Sequence, residues 1–461
     1  MIDLSFYGFS YSDKNEWIAK ALKETGLKSE NDFFTFDKIE GISVPSLFTL
    51  AEDAEKYRFW ESLPKNINDA WENVSSFDLD QENNDDLLQT LALGIDGLVL
   101  QWSGEGDIKQ KLYGLSPEYL SLWLAPKGNG IAVLKSFLDW ANDQAKGKIK
   151  GGFLWDPISQ VLDDGLENQS LKEQIEKIHQ LTKEYPHFRG ICVDMGTYLD
   201  SGANTVQQLT YSMLRLSEVL KELSCKGRDM KGVFENLTVK VGLGGDYFLN
   251  IAKLKLTRIL VDQVAGLFDN GYDEMKLIIF SYTSLWTKSH KDKYGNLVRS
   301  TVESLMAVNG NSDILFVSKN DLSQAFPDVS SKQQAANISN LLKLESHISF
   351  RKDSSSGAFY LNFLMDRIFD MVRDKLIELE GKGGWLACFK SGLMQKEIKL
   401  TRNLQVEALK SKSQLMVGVN AYEDQSLNVV SDNWEQRGEA ELQLRSIPKS
   451  VLFDQLNFNL K

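Results

Sequence analysis

From about residue 97 onward, short apolar runs rich in β-branched and aromatic residues alternate with long stretches whose apolar positions recur at helical spacing. That alternation is the pattern of repeated βα units around a parallel sheet. Eight runs predict strands: GLVLQ from Gly97, YLSLWLA from Tyr119, GGFLW from Gly151, GICVDM from Gly190, TVKVGLG from Thr238, KLIIFSY from Lys276, DILFVS from Asp313 and HISFRK from His347. Between them, LKEQIEKIHQLTKEY from Leu171, TVQQLTYSMLRLSEVLKEL from Thr205 and YFLNIAKLKLTRILVDQVAGLF from Tyr247 read as amphipathic helices. The first crossover, Ser103 to Glu118, is short for a full helix.

After the third strand, the starts fall roughly 34 to 48 residues apart, the spacing that a (β/α)8 barrel needs. The predicted fold is therefore α/β, a (β/α)8 TIM barrel with N-terminal and C-terminal helical extensions. An open doubly wound sheet is the rival, but it uses a glycine-rich phosphate loop opening a helix. Gly242 to Gly245 reads instead as a tight βα turn. The expected division is an N-terminal helical or extended arm over residues 1–75, the barrel over 76–400, and a C-terminal helix and tail over 401–461. The acidic stretch Asp78 to Asp86 lacks the glycine and terminal glutamate of a calcium loop and reads as a solvated loop. A glycine break is expected at Gly381 to Gly384, and the last forty or so residues read as a polar arm.

Charge and rare residues narrow the function classes. Lys plus Arg number 52 against 64 Asp plus Glu, a net charge of −12, which speaks against nucleic-acid binding. There is no apolar run of the ~18 residues that a membrane helix needs, and the first residues lack the marks of a secretory or transit peptide. A cytoplasmic chain is expected. Cys192, Cys225 and Cys388 are odd in number and far apart, so they are expected as reduced thiols. His179, His187, His290 and His347 show no metal-ligand spacing, so no metal site is expected. No nucleophile elbow, phosphate loop or kinase signature occurs.

In a barrel, chemistry sits at the C-terminal ends of the strands. The polar residues there are Asp156, Asp194, Ser281, Tyr282, Thr283, Lys319, Arg351, Lys352 and Asp353, although such loops are polar in every barrel. The strands themselves carry bulky runs such as FLW, ICV, LII and ILF, which predict a filled interior without a substrate channel.

Several blocks together carry a family resemblance. LESHISFRKDSSSGAFYLNFLMDRIFDMVRDKLIELEGKGGWLACFKSGLMQKEI followed by LMVGVNAY, SGANTVQQLTYSMLRLSEVL, DYFLNIAKLKLTRILVDQV, TSLWTKSHKDKYGNLVRSTVESLMAVNG and KIEGISVPSLFT resemble methylmalonyl-CoA mutases. They keep the order of that family over about residues 36–422. The resemblance implies a barrel with a CoA thioester running along its axis and cobalamin held at its mouth by a separate domain.

Departures from the catalytic pattern set the expected role. A tyrosine–histidine pair of catalytic members is matched here by Gly196 and Thr197, a glutamine by Tyr282, a glycine by Leu285, an arginine by Lys255 and a tyrosine by Phe48. Lys255 lacks the bidentate fork of the arginine it replaces. The segment with the active-site loop and substrate clamp has no counterpart between Glu55 and Asn83. No histidine stands two residues after an aspartate, and only about forty residues follow Tyr422, so no cobalamin-binding domain is expected within this sequence.

The pattern is similar to the small (beta, non-catalytic) subunits of heterodimeric bacterial members. It implies a chain with no catalytic residues and no bound cofactor of its own. The partner would be a catalytic large subunit holding adenosylcobalamin and interconverting methylmalonyl-CoA and succinyl-CoA, and the chain alone would self-associate. Two other readings are a degenerate barrel that binds a CoA thioester without catalysis, using Thr49, Lys255 and Asn337, and an active acyl-CoA mutase chain served by a separate cobalamin subunit. Gly196 and Thr197 argue against the latter. Phe34, Trp60 and Phe453 are expected as exposed apolar residues that a partner would cover.

Overall fold

The structure is a computed structural model that describes residues 12–49, 70–145, 148–166, 170–269, 277–322, 329–348, 353–423 and 438–458. Two short strands, β1 (Thr35–Asp37) and β2 (Ile42–Val44), form an antiparallel hairpin. The remaining strands are all parallel: β3 (Glu72–Asp78), β4 (Gly97–Trp102), β5 (Ser121–Pro126), β6 (Lys150–Phe153), β7 (Phe188–Arg189), β8 (Ile191–Asp194), β9 (Leu237–Leu243), β10 (Ile278–Thr283) and β11 (Ile314–Phe316).

Their order, β7-β6-β5-β4-β3-β11-β10-β9-β8, has its two ends on one stretch of chain. β7 pairs with β6 through Gly151↔Phe188, and β8 pairs with β9 through Ile191↔Leu237. The two are halves of a single strand interrupted at Gly190, so the nine segments make an eight-stranded barrel. A side chain at Gly190 would place its Cβ 2.0 Å from Thr182 Oγ1, which explains why the seam carries glycine. Asn236 bridges the same seam: its Oδ1 accepts from the Gly190 amide, and its Nδ2 donates to Thr182 at 2.8 Å.

The predicted barrel is present, but its first and last strands differ from the expectation. β3, sequence ENVSSFD, opens the barrel. It escapes a search for apolar runs because only Val74 and Phe77 are apolar. HISFRK is not the closing strand: residues Leu341–Glu345 form a π-helical turn, and His347 has a left-handed backbone (φ 51). Residues 349–352 lie outside the described residues. Closure comes instead from β11 pairing with β3, Leu315 opposite Asn73. The helix Val329–Asn340 seals that join, with Asn73 Nδ2 donating to Asn340 Oδ1 at 2.9 Å and Trp71 Nε1 to Ser339 Oγ at 2.8 Å. The short first crossover is borne out as the four-residue helix Ile108–Lys111.

The apolar residues segregate as a barrel demands. A large cluster fills the space between strands and the helices Thr205–Cys225, Tyr247–Gly266 and Phe359–Gly381, and a second lies under Gly130–Ala145. A third, Val74, Val99, Trp123, Leu154, Phe280, Tyr282 and Ile314, occupies the barrel axis. The rings of Trp123 and Phe280 meet there with centroids 5.1 Å apart, and Phe280 is fully buried. The interior is a packed core, as the bulky strand sequences predict.

Beyond the barrel, Gly383 (φ 106) and Gly384 (φ 72) supply the expected break before the helices Gly384–Lys390 and Leu393–Lys410. The described part of the C-terminal stretch, residues 438–458, lies against the barrel. Leu444 joins the main core, and the Ile447 amide donates to the Asp200 carbonyl at 3.0 Å. Phe453, expected to be exposed, is buried against Leu409, Met416 and Val419; Phe34 is half-buried, and Trp60 lies outside the described residues. The three cysteines are free thiols, Cys192 and Cys388 buried and Cys225 exposed. No helix among the described residues is long and apolar enough to cross a membrane.

Candidate functional site

The C-terminal mouth of the barrel is where a barrel enzyme would work, and here its ionisable side chains are turned on one another. Arg215, fully buried, donates from Nη1 to Asp156 Oδ2 at 2.8 Å and to the Asp194 carbonyl at 2.7 Å. Its guanidinium carbon stands 4.8 Å from the Tyr198 ring centroid. Burial is the largest influence and would lower its pKa, but the charges of Asp156, Tyr198 and Asp194 together outweigh it and hold the guanidinium above its ordinary value. Lys240 projects inward from β9 and donates to Asp194 Oδ2 at 2.8 Å, above the ring of Tyr282. Burial opposes its charge too, and Asp194 restores it.

Tyr282 ends the chain of contacts. Its hydroxyl donates to Asp200 Oδ2 at 2.5 Å, while Ser284 donates to the other oxygen of the same carboxylate. Burial and then the neighbouring Asp200 charge push the phenol well above its ordinary value, so it stays a neutral donor. Ser284 also caps the turn Leu285–Thr287 by accepting from the Trp286 amide at 3.1 Å. That turn carries Leu285, the residue that the resemblance matches to a family glycine.

Gly196 explains the arrangement. A Cβ at this position would lie 2.1 Å from Tyr282 Oη and 2.6 Å from its Cε1. The two positions that the resemblance marks as departures, Gly196 and Tyr282, are thus in one steric contact. The ring of Tyr282 occupies the space next to the 196 backbone. Thr197 faces outward from the axis, its Oγ1 3.0 Å from Ser159 Oγ. Below this layer, Trp123 and Phe280 fill the axis along which the resemblance would run a CoA thioester.

The other candidates from the sequence do not converge on this point. Ser281 pairs with Ser312, Oγ to Oγ at 2.5 Å, and Thr283 Oγ1 accepts from the Ser318 amide at 2.8 Å. Lys319 has a partner of its own. Asp353 accepts both contacts of Lys255 Nζ, at 2.9 and 3.0 Å, so Lys255 is engaged on the outer helices rather than offered to a phosphate. Asn337 is exposed on its helix, and Thr49 is half-buried with an interaction of its own. Phe48 packs among Phe363 and Tyr360, centroids 5.4 and 6.1 Å away. Arg351 and Lys352 lie outside the described residues.

Three members of the mouth network, Arg215, Lys240 and Asp200, were not among the candidates. Their signal was nonetheless present. Arg215 is a lone cation in the apolar run YSMLRL, and Lys240 a lone cation inside a strand, both places where a charge needs a buried partner.

No group of three His, Cys, Asp or Glu residues able to hold a metal occurs among the described residues. The mouth donors that are present are committed within the chain, and His290, which faces Asp454 at 3.0 Å and Ser450 at 3.2 Å, is committed likewise.

The family model for methylmalonyl-CoA mutase matches residues 85–448. The chain is 25% identical over 277 residues to the methylmalonyl-CoA mutase small subunit of Porphyromonas gingivalis, covering 60% of this chain and 45% of that one. It is 28% identical over 277 residues to the small subunit from Streptomyces virginiae, covering 59% and 44%. With the human mitochondrial methylmalonyl-CoA mutase it shares 23% over 356 residues, covering 75% and 48%. The chain spans about half the length, or less, of these curated relatives. By this match, the chain belongs to the methylmalonyl-CoA mutase family.

Proposed function

We propose that this chain is the non-catalytic small subunit of an adenosylcobalamin-dependent methylmalonyl-CoA mutase. It pairs with and stabilises a catalytic large subunit, which holds the cofactor and interconverts methylmalonyl-CoA and succinyl-CoA. The observation that carries the reading is the interlock of Tyr282 with Gly196 above an axis filled by Trp123 and Phe280. A thioester threaded along the axis would have to displace a buried aromatic core, at about 3–5 kcal/mol for each large ring. Among the described residues of this layer, Arg215, Lys240, Asp194, Asp200 and Tyr282 hold each other, which leaves none of them free for a substrate. The small-subunit names of the two bacterial relatives support the same role.

The test is to purify the chain alone and together with its large subunit, then assay both with adenosylcobalamin and methylmalonyl-CoA. Co-elution of the two chains and turnover only in the complex are expected. Turnover by this chain alone overturns the proposal.

A further inference from the structure

A cavity of about 740 Å³ lies beside the barrel mouth, between the Tyr247–Gly266 and Lys293–Asn309 helices and the C-terminal segment. It is separate from the axis, and its size is that of a small-molecule site. Its acids are satisfied from within the chain. Glu40 accepts from the Thr205 amide and hydroxyl at 3.0 and 2.9 Å, Asp246 accepts from the Leu249 amide at 2.9 Å, and Glu303 binds Lys288 at 2.7 Å and Thr287 at 2.6 Å.

Three cations on its wall have no ion pair among the described residues: Lys253, which donates to Gln208 Oε1 at 2.9 Å and to the Gly242 carbonyl at 2.7 Å, and Lys449 and Arg299. Lys449, only 9% exposed, has no carboxylate within ion-pair distance among the described residues, and its ammonium lies 5.9 Å from the Trp286 ring centroid. That ring is fixed by its own bond from Nε1 to Gln405 Oε1 at 3.1 Å. Arg299 donates to Asn296 Oδ1 at 3.0 Å and to the Val417 carbonyl, both neutral acceptors, and the carboxylates of Asp292 and Glu303 act on its charge without pairing directly with it. Burial, then repulsion from Arg299, pushes Lys449 down to about 8. Holding a desolvated ammonium beside a second cation costs several kcal/mol unless an anion is bound between them.

We infer that this cavity binds a small organic anion, a phosphate ester or a carboxylate, with its charged head between Arg299 and Lys449 and its apolar body against Val302 and Met306. The arginine provides a planar fork for the oxygens and the lysine a point charge. The inference does not depend on the subunit assignment, because it concerns a different cavity and is read on the chain alone.

The experiment titrates the full-length chain with phenyl phosphate and, separately, phenylacetate by calorimetry. In parallel, acetylation of Lys449 is followed by peptide mass spectrometry near its own pKa, with the exposed Lys226 as internal reference. Saturable binding of one or both probes is expected, and the tighter probe identifies the head group. Bound anion should slow Lys449 acetylation about tenfold while leaving Lys226 unchanged. Lys449→Met should weaken binding about tenfold or more, whereas Arg299→Lys, which keeps the charge, should weaken it less. Protection of wild-type Lys449 decides the matter even if the Met variant fails to fold. Absence of saturable binding of both probes at millimolar concentration, or equal protection of Lys226, overturns the inference.

Discussion

Gly196 and Tyr282 are read as two independent losses when each is compared with the catalytic pattern, but in space they are one contact. Adding a single methyl at 196 drives a carbon to 2.1 Å from the Tyr282 oxygen, in a layer where that oxygen is already fixed on Asp200. Gly196→Ala should therefore destabilise the chain by about 1–3 kcal/mol, the usual range for overpacking. The same substitution in a Tyr282→Gln background should cost clearly less, since the shorter side chain withdraws the clashing atoms. Urea unfolding of the four chains in a double-mutant cycle measures the coupling. An additive pair would show that the two positions do not interlock.

At the scale of elements, the N-terminal hairpin is fastened to the barrel by the buried carboxylate of Glu40, beside the Asn204 bond to the Ile39 carbonyl at 2.8 Å and the packing of Ile42 into the core. Glu40, in the turn between β1 and β2, accepts from the amide at the start of the Thr205–Cys225 helix, a favourable place for negative charge. Burial nevertheless dominates and raises its pKa to about 7 from 4.5. A carboxyl with a raised folded pKa favours the folded state fully below its unfolded value, and that advantage is lost as pH rises through the folded value. Between pH 4.5 and 7 the chain should thus lose up to about 3 kcal/mol relative to Glu40→Gln. Lys253, lowered to about 7 by burial, works with the opposite sign above that pH, so the comparison belongs below it. Thermal melts of both chains across this window check the direction, and parallel curves would remove Glu40 as the cause.

The whole molecule presents apolar side chains that its own core does not cover. Leu400 and Leu404 lie one turn apart on the Leu393–Lys410 helix, 62% and 50% exposed, and Tyr294 and Val298 form another such pair, 70% and 65% exposed. These take the place of Phe453, which the sequence suggested as exposed and the fold buries. Paired exposed stripes of this kind fit an interface between subunits. The isolated chain is expected to self-associate, and addition of the large subunit to replace those assemblies with a defined complex. Light scattering on the two samples tests this. A monodisperse and highly stable monomer counts against it.

The order of strands and amphipathic helices was legible in the chain because each is written locally, as apolar runs and 3.6-residue periodicity. The family, too, was carried by blocks of contiguous residues. The departures that the resemblance implies at Gly196 and Thr197 are legible by position alone. Which strand closes the barrel could not. β3 is half polar and becomes a strand because β4 and β11 pair with it, the latter from a sequence-distant place. The same holds for Arg215, Lys240, Asp200 and Tyr282, and for Arg299 and Lys449. Sequence marks Arg215 and Lys240 as lone cations in apolar runs and Tyr282 as a strand-end residue, but only the tertiary fold decides which charge meets which partner, because desolvation and pairing depend on neighbours far along the chain.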